Sequence, residues 1–365
     1  MDALEGWRRI PLGNIAEVRL GRQRSPSRAF GPNMRPYLRA ANVGWEGLKL
    51  DDVKKMDFTP SEYEVYRLQA GDIVLNEASG SPSEVGKPAV WRDEIPGACF
   101  QNTLIRVRPN KSEALSEFLY YHFLRDALTQ AFADASTGTN IQHIGQAKLA
   151  SWLIHLPPIN EQRKIVAILS SVDEAIKTAQ AVIGQIQEVT KALMHHLLTK
   201  GLPRHHRKFK QTVIGDIPEE WDLRPGNQLF TLTGGHAPSS ILFSSHGDSL
   251  FIKVNTFNLP ENLIAIAKSD ETFRTKENPS VRCFGPGSLV FPKRGAAIFK
   301  NRIGLIIRPS AVDPNLMVLT PNDTINAEFF RYLLLHIGLY KICDNSGIPQ
   351  INNKHLYPAV FQFPR

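Results

Sequence analysis

Cysteine is scarce in this chain of 365 residues, limited to Cys99, Cys283 and Cys343. The three are scattered without pairing or metal-ligand spacing, which argues for reduced thiols and against a zinc site. No apolar run approaches the length of a membrane span and no apolar stretch follows Met1, so the pattern predicts a cytoplasmic protein with no membrane partner. Signatures of common catalytic and nucleotide sites are missing too: no Walker A loop, no dinucleotide glycine fingerprint after a strand, no HExxH, and no Asn/Asp-Pro-Pro-aromatic string of the amino-methyltransferases. Asn278-Pro279-Ser280 and Asp313-Pro314-Asn315 fail that last pattern. The pairs His195-His196 and His205-His206 lack a carboxylate or cysteine at ligand spacing. These absences predict a chain that binds rather than catalyses, with no catalytic residue, metal or cofactor of its own.

Residues 156–203 carry the strongest positive signal. From Ile165 the apolar positions step by alternating four and three, through Leu169, Val172, Ile176, Ala179, Ile183, Ile186, Thr190, Leu193 and Leu197, an a/d seam. Pro157 and Pro158 precede Asn160, a good N-cap residue, and Lys200, Gly201 and Pro203 supply a cationic last turn, a C′ glycine and a stop. A helix of roughly 40 residues is about 60 Å long. Burying the seam is worth on the order of 10–20 kcal/mol as an upper bound, so a partner helix is expected for Ile165, Leu169, Val172, Ile176, Ile183, Ile186, Leu193 and Leu197.

The rest of the chain repeats around this segment. Glu5, Trp7, Pro11, Gly21 and Ser25 recur as Glu219, Trp221, Pro225, Gly235 and Ser239 at an offset of roughly 214. Asn42 then matches Asn255, Gly71-Asp72-Ile73-Val74 matches Gly287-Ser288-Leu289-Val290, and Glu117-Phe118 with Tyr121 matches Glu328-Phe329 with Tyr332. Gly138 pairs with Gly347 and Leu149 with Leu356, so the order of matches is kept while the offset drifts with loop length. The expected fold is α+β, a mixed α/β arrangement in two homologous domains joined by a long coiled-coil-type helix. The divisions are 1–155, 156–203, and 204–365, the last opening with a basic linker. Expected strands are Tyr37–Asn42, Asp72–Asn76 and Thr103–Val107, then Leu250–Val254, Ser288–Phe291 and Ile303–Ile307. Helix-like spacing covers 113–132 and 325–343.

Net charge is +8, and the excess is clustered where a phosphate backbone could use it. One cluster is Arg19, Arg22, Arg24 and Arg28; a second is Lys200, Arg204, Arg207, Lys208 and Lys210 after the helix; a third is Lys293, Arg294, Lys300 and Arg302. Base readout needs side chains that donate and accept in fixed pairs, and three loops per copy hold them. The candidates are Arg22, Arg24, Arg28, Asn76, Ser81, Lys87, Thr139, Asn140 and Gln142 in the first copy. In the second they are His236, Lys293, Arg294, Lys300, Arg302, Gln350, Asn352 and Lys354. Serine and glycine in these loops also suit plain turns.

With these residues in view, the chain resembles the specificity subunits of type I restriction-modification systems over essentially its whole length. The most specific element is LPPINEQRKIVAILSSVDEAI, Leu156 to Ile176, similar to the family's junction in which a proline-rich strand end and Glu-Gln-Arg open the helix. GDIPEEWDLRPGN, GDIVLNEASGSPSEVGKPAV and a glycine-to-glutamine turn near each copy's end support it. The resemblance implies a non-catalytic subunit whose two target-recognition domains each read one half of a split duplex DNA sequence. Its implied partners are methyltransferase subunits and restriction subunits, with S-adenosylmethionine, ATP and magnesium expected only on those partners. Half-sites one helical turn apart, about 34–36 Å, fall within the reach of such a helix. Family members close with a second helix after the second domain, whereas this sequence stops at Val360–Arg365, about where that junction would begin. The seam's partner is therefore expected from a longer form of the chain, another subunit, or a second copy, and self-association is the expectation for the protein made alone. The competing function is a coiled-coil interaction scaffold whose duplicated domains bind protein.

Overall fold

The structure is a computed structural model that describes residues 6–136, 142–344 and 347–364. It divides into two compact units, Met1–Gln180 and Ala181–Arg365. The boundary falls inside the connector rather than at its ends. The helix's first turns pack on unit 1 through buried Gln162 and partly buried Ile165, and its last turns on unit 2 through Met194 and buried Leu198.

In unit 1 a four-stranded antiparallel sheet orders Ala16–Leu20, Leu104–Pro109, Ile73–Asn76 and Pro88–Val90. Ile73, Val74 and Leu75 are all fully buried, as a central strand covered on both faces requires. A smaller sheet places Met34–Leu38 between Cys99–Phe100, parallel to it, and Lys54–Asp57, antiparallel. Arg8–Pro11 pairs with Leu153–Leu156, which closes the unit just before the long helix. The helix Ser116–Leu128 lays Leu119 and Phe123 on the core built from Ile73, Leu75, Ile105 and Val107.

Unit 2 repeats the two main sheets and the closing strand pair. Its larger sheet orders Phe230–Gly234, Leu316–Pro321, Leu289–Pro292 and Gly304–Ile306, with one added edge strand, Ala265–Ile266. Its smaller sheet places Ser249–Ile252 between Ser310–Val312, parallel, and Glu271–Phe273, antiparallel. Asp222–Pro225 pairs with Val360–Phe363. The matched glycines explain themselves here. A Cβ on Gly21 would lie 2.1 Å from the Gln101 carbonyl oxygen and one on Gly235 2.1 Å from that of Val312, so neither backbone crossing admits a side chain.

Several local expectations are corrected. The strand expected over Tyr37–Asn42 is Met34–Leu38, and Ala40–Asn42 is a 3-10 turn in which the Asn42 carboxamide accepts from the Arg39 N–H at 3.1 Å. The second copy makes that bond with Thr256, whose Oγ1 accepts from Lys253 N–H at 3.0 Å, so Asn42 corresponds to Thr256 rather than to Asn255. The helix expected over 113–132 breaks at Gln130, left-handed at φ 61°, into Ser116–Leu128 and Ala131–Ala135. The one expected over 325–343 breaks in the same way at Gly338, φ 88°, into Ala327–Ile337 and Leu339–Ile342. The connector runs Ile159–Lys200, so Asn160 lies inside its first turn, its Oδ1 accepting from Arg163, and is not the N-cap. Gly201 at φ 72° ends it as expected. The basic stretch after it is no bare linker: Phe209–Thr212 and Gly215–Pro218 form a hairpin, and Lys210 Nζ donates to the Glu219 and Trp221 carbonyls.

Candidate nucleic-acid interface

In unit 1, backbone hydrogen bonds string the three candidate loops together. Arg22 N–H donates to Phe100 O, and Asn102 N–H donates back to Arg22 O at 3.0 Å. Next to Asn102, Thr103 O accepts from Glu77 N–H at 3.0 Å, and Glu77 O in turn accepts from Ile144 N–H at 3.0 Å. Gln142 then pairs with Ser79 across a two-residue ladder. Unit 2 repeats the string. His236 N–H donates to Val312 O, Lys293 N–H to Asn315 O, and Ile351 N–H to Lys293 O, all within 2.8–2.9 Å, while Arg294 bridges Gln350. Each unit therefore gathers loops far apart in sequence onto one patch of backbone.

The side chains in these loops do not all face outward. Arg22 is only 8% exposed; its Nε donates to Glu62 Oε1 at 3.0 Å and its guanidinium lies 5.2 Å over the Phe58 ring. Asn76 is buried in the sheet, donating to the Glu84 carbonyl at 3.3 Å. Lys87 is buried in an ion pair with Glu84, 5.5 Å over the Trp45 ring. The Lys87 ammonium, helped by the Trp45 indole N–H, holds the Glu84 carboxyl below its ordinary range against the opposing effect of burial. An engaged, buried polar group cannot leave its partner without stranding it, so in this structure these three side chains are held within the loops they belong to.

Arg24 and Ser81 are exposed, Arg28 is half-buried with its Nη1 3.4 Å from Asp57, and Gln142 is half-buried. Thr139 and Asn140 lie outside the described residues. In unit 2, Arg294, Lys300, Gln350 and Lys354 are exposed, while Lys293 and Asn352 are half-buried. Arg302 is turned inward to the Phe257 carbonyl, and His236 Nε2 accepts from Arg282 N–H at 3.1 Å, so these two are better placed to shape the loops than to reach out. The structure adds three basic residues that the linear reading passed over. Arg39, Lys54 and Lys55 join Arg24 around one concavity of about 260 Å³. The signal for them is the register that sets Lys54 opposite Tyr37, which no sequence spacing reveals.

Along the helix, Leu169, Val172, Ile176, Ile183, Ile186 and Leu193 are between 36% and 59% exposed. Ile165 is partly buried on the unit 1 core and Leu197 is half-buried. Ile168, Val182 and Val189 are exposed too and widen the stripe, and so large an apolar stripe marks an interaction surface.

Among the described residues no group of His, Cys, Asp and Glu could hold a metal ion, and no helix is long and apolar enough to cross a membrane. His195 meets His336 with ring nitrogens 3.3 Å apart, and burial followed by the neighbouring ring pushes His336 below its ordinary value. Burial pushes the Cys99 thiol up to about 12, which makes it an inert core residue.

Comparison with known proteins agrees with this arrangement. A family model described as the type I restriction modification DNA specificity domain matches residues 4–188. The chain is 31% identical over 206 residues to a putative type I restriction enzyme MjaX specificity subunit of Methanocaldococcus jannaschii, covering 55% of this chain and 46% of that one. It is 25% identical over 238 residues to the EcoKI specificity subunit of Escherichia coli, covering 62% and 47%. These alignments thus span about half the length of the relatives. Among solved structures, one described as the structural basis of complex assembly and conformational transition of the type I R-M system aligns over all of this chain and 87% of the other, with TM-score 0.60 and 17% identity. A type I restriction-modification S subunit from M. genitalium aligns with TM-score 0.51 and 14% identity, again over all of this chain and 87% of that one. At such identities the structural likeness speaks to the fold.

Proposed function

The chain belongs to the type I restriction-modification DNA specificity family, and on that premise we propose that it reads a two-part duplex DNA target, one part with each unit, and directs partner subunits to it. The observation that carries this reading is the repeated string of backbone hydrogen bonds. It sets Arg24, Ser81 and Gln142 in unit 1, and Lys293, Arg294, Lys300, Gln350 and Lys354 in unit 2, on equivalent loop clusters. Cations position a protein on phosphates, and the amide and hydroxyl groups among them supply the donors and acceptors that read base edges.

The exposed seam of the long helix supports the other half of the proposal. It pairs with a second helix, from a partner or a second copy, and the paired helices carry the methyltransferase subunits, to which restriction subunits join. S-adenosylmethionine, ATP and magnesium belong on those partners, and the assembly works in the cytoplasm, where the DNA is.

Salt dependence of binding tests the DNA reading. Phosphate neutralisation makes log K fall with log salt by about 0.9 per phosphate neutralised, so the whole chain is expected to bind duplex DNA with a slope of several units. A chain that ignores duplex DNA at low salt, or binds with no slope, would instead be a protein-interaction scaffold.

A further inference from the structure

The concavity lined by Arg24, Arg39, Lys54, Lys55 and Gln101 takes Arg24 from the first loop and adjoins the loop string. Gln101 lines it, and the next residue, Asn102, donates to the Arg22 carbonyl in the loop string. Asp52 pairs with Arg39 at 2.7 Å and with Lys54 at 2.6 Å, so two of the four cations share one carboxylate. Arg39 Nε is buried without a hydrogen-bond partner among the described residues. Tyr37, the sole aromatic side chain in the lining, is 3% exposed, which leaves no face for a base to stack on.

Unit 2 supplies the internal control, because the register identifies the equivalent positions. Gln101 N–H donates to Leu38 O and Asp313 N–H to Ile252 O, both at 2.9 Å, so Asp313 stands where Gln101 does. Tyr37 pairs with Lys54 and Phe251 with Glu271, so Glu271 replaces Lys54 and Thr272 replaces Lys55. Lys253 opens the second copy's 3-10 turn as Arg39 opens the first, and it is ion-paired to Glu271. Counting from the matched Gly21 and Gly235, Pro238 replaces Arg24. The unit 1 positions carry four cations, whereas the equivalent unit 2 positions carry Pro238, Lys253 paired with Glu271, and Thr272.

We propose that the Arg24–Arg39–Lys54–Lys55 concavity is a binding site for the phosphate backbone of duplex DNA, present in unit 1 and missing from unit 2. The proposal rests on the DNA-reading function above. It makes the two units unequal: unit 1 holds the duplex through phosphates beside its reading loops, and unit 2 depends more on its loop contacts.

The test uses the whole chain and a random-sequence duplex of fixed length, with the binding constant measured from about 50 to 200 mM salt. The double variant Arg24→Gln/Lys55→Gln is expected to lower the magnitude of the salt slope by roughly 1–2, about 0.9 for each phosphate that is no longer neutralised. The charge-keeping pair Arg24→Lys/Lys55→Arg should retain the slope, and so should Lys268→Gln, an exposed lysine of unit 2. Both substituted residues are exposed, and the single variant Lys55→Gln carries the same prediction at about half the size if the double variant misfolds. An unchanged slope in a folded variant overturns the site. So does weaker binding at an unchanged slope, which would signal a base contact. A wild-type chain that does not bind duplex DNA overturns the DNA-reading function itself.

Discussion

Two strands at the same place in the two units hold their sheets together with opposite chemistry. In unit 1, Arg108 clasps Asp72 with two hydrogen bonds of 2.7 Å, and the buried Arg106 donates to the Val65 and Arg67 carbonyls and pairs with Glu17 at 2.9 Å. In unit 2 the register puts Val318 where Arg106 stands, and Thr320 meets Ser288 through their hydroxyls at 3.2 Å in place of Arg108 and Asp72. One frame thus tolerates either a buried ionic network or an apolar residue beside a hydroxyl pair at the same register positions. The conformational requirements survive in both copies, seen in Gly21 and Gly235, whereas the charges are free to differ.

That contrast predicts unequal fragility. Asp72→Ala strands Arg108 and should cost unit 1 about 3–5 kcal/mol, as breaking a buried pair does. Ser288→Ala removes one neutral hydrogen bond and should cost unit 2 about 1 kcal/mol. Urea unfolding followed by tryptophan fluorescence separates the two, because Trp7, Trp45, Trp91 and Trp152 report unit 1 and Trp221 reports unit 2. Equal destabilisation would break the comparison.

The ends of the long helix offer a second contrast. Gln162, 0% exposed, accepts from Leu115 N–H at 2.9 Å and donates to the Glu113 and Pro157 carbonyls. At the other end Gln362 donates to the Leu198 carbonyl at 2.8 Å. Gln162→Ala should destabilise by about 1–3 kcal/mol and Gln362→Ala by about 1, since fewer buried groups are left without a partner there. Both are read from thermal unfolding, and reversed magnitudes would contradict the bonding described.

The matched tryptophans sharpen the comparison further. Trp7 Nε1 donates to Glu161 at 3.1 Å, whereas the buried Trp221 Nε1 has no partner among the described residues. Trp7→Phe should therefore cost about 1 kcal/mol more than Trp221→Phe in the chain alone, measured by circular dichroism during urea unfolding. The smallest effect on stability is expected from Ile176→Asp and Ile183→Asp. Both sites are half-exposed, so unfolding should shift by no more than about 0.5 kcal/mol. Association through the helix, measured by light scattering, should be abolished, and retained association would remove the seam from the account.

The duplication was legible in the sequence because the matched glycines mark conformations and close approaches that only glycine satisfies. The helix was legible from its alternating step. A basic or amide residue in a serine-rich loop reads as a DNA contact, and the burial and partners of Arg22, Asn76 and Lys87 could not be read there. Arg39, Lys54 and Lys55 escaped notice for the converse reason: the register of Met34–Leu38 against Lys54–Asp57, separated in sequence, gathers them with Arg24. The breaks at Gln130 and Gly338 were hidden by apolar spacing that continues across them.

The central proposal, that each unit reads its own part of a target, is tested most directly by the methylation motif produced when the chain is expressed with the methyltransferase subunits proposed as its partners. A motif in two parts is expected, with Ser81→Ala and Gln142→Ala altering recognition of one part and Arg294→Gln and Gln350→Ala altering the other. A single uninterrupted motif, or substitutions in both units that change the same positions, would contradict it.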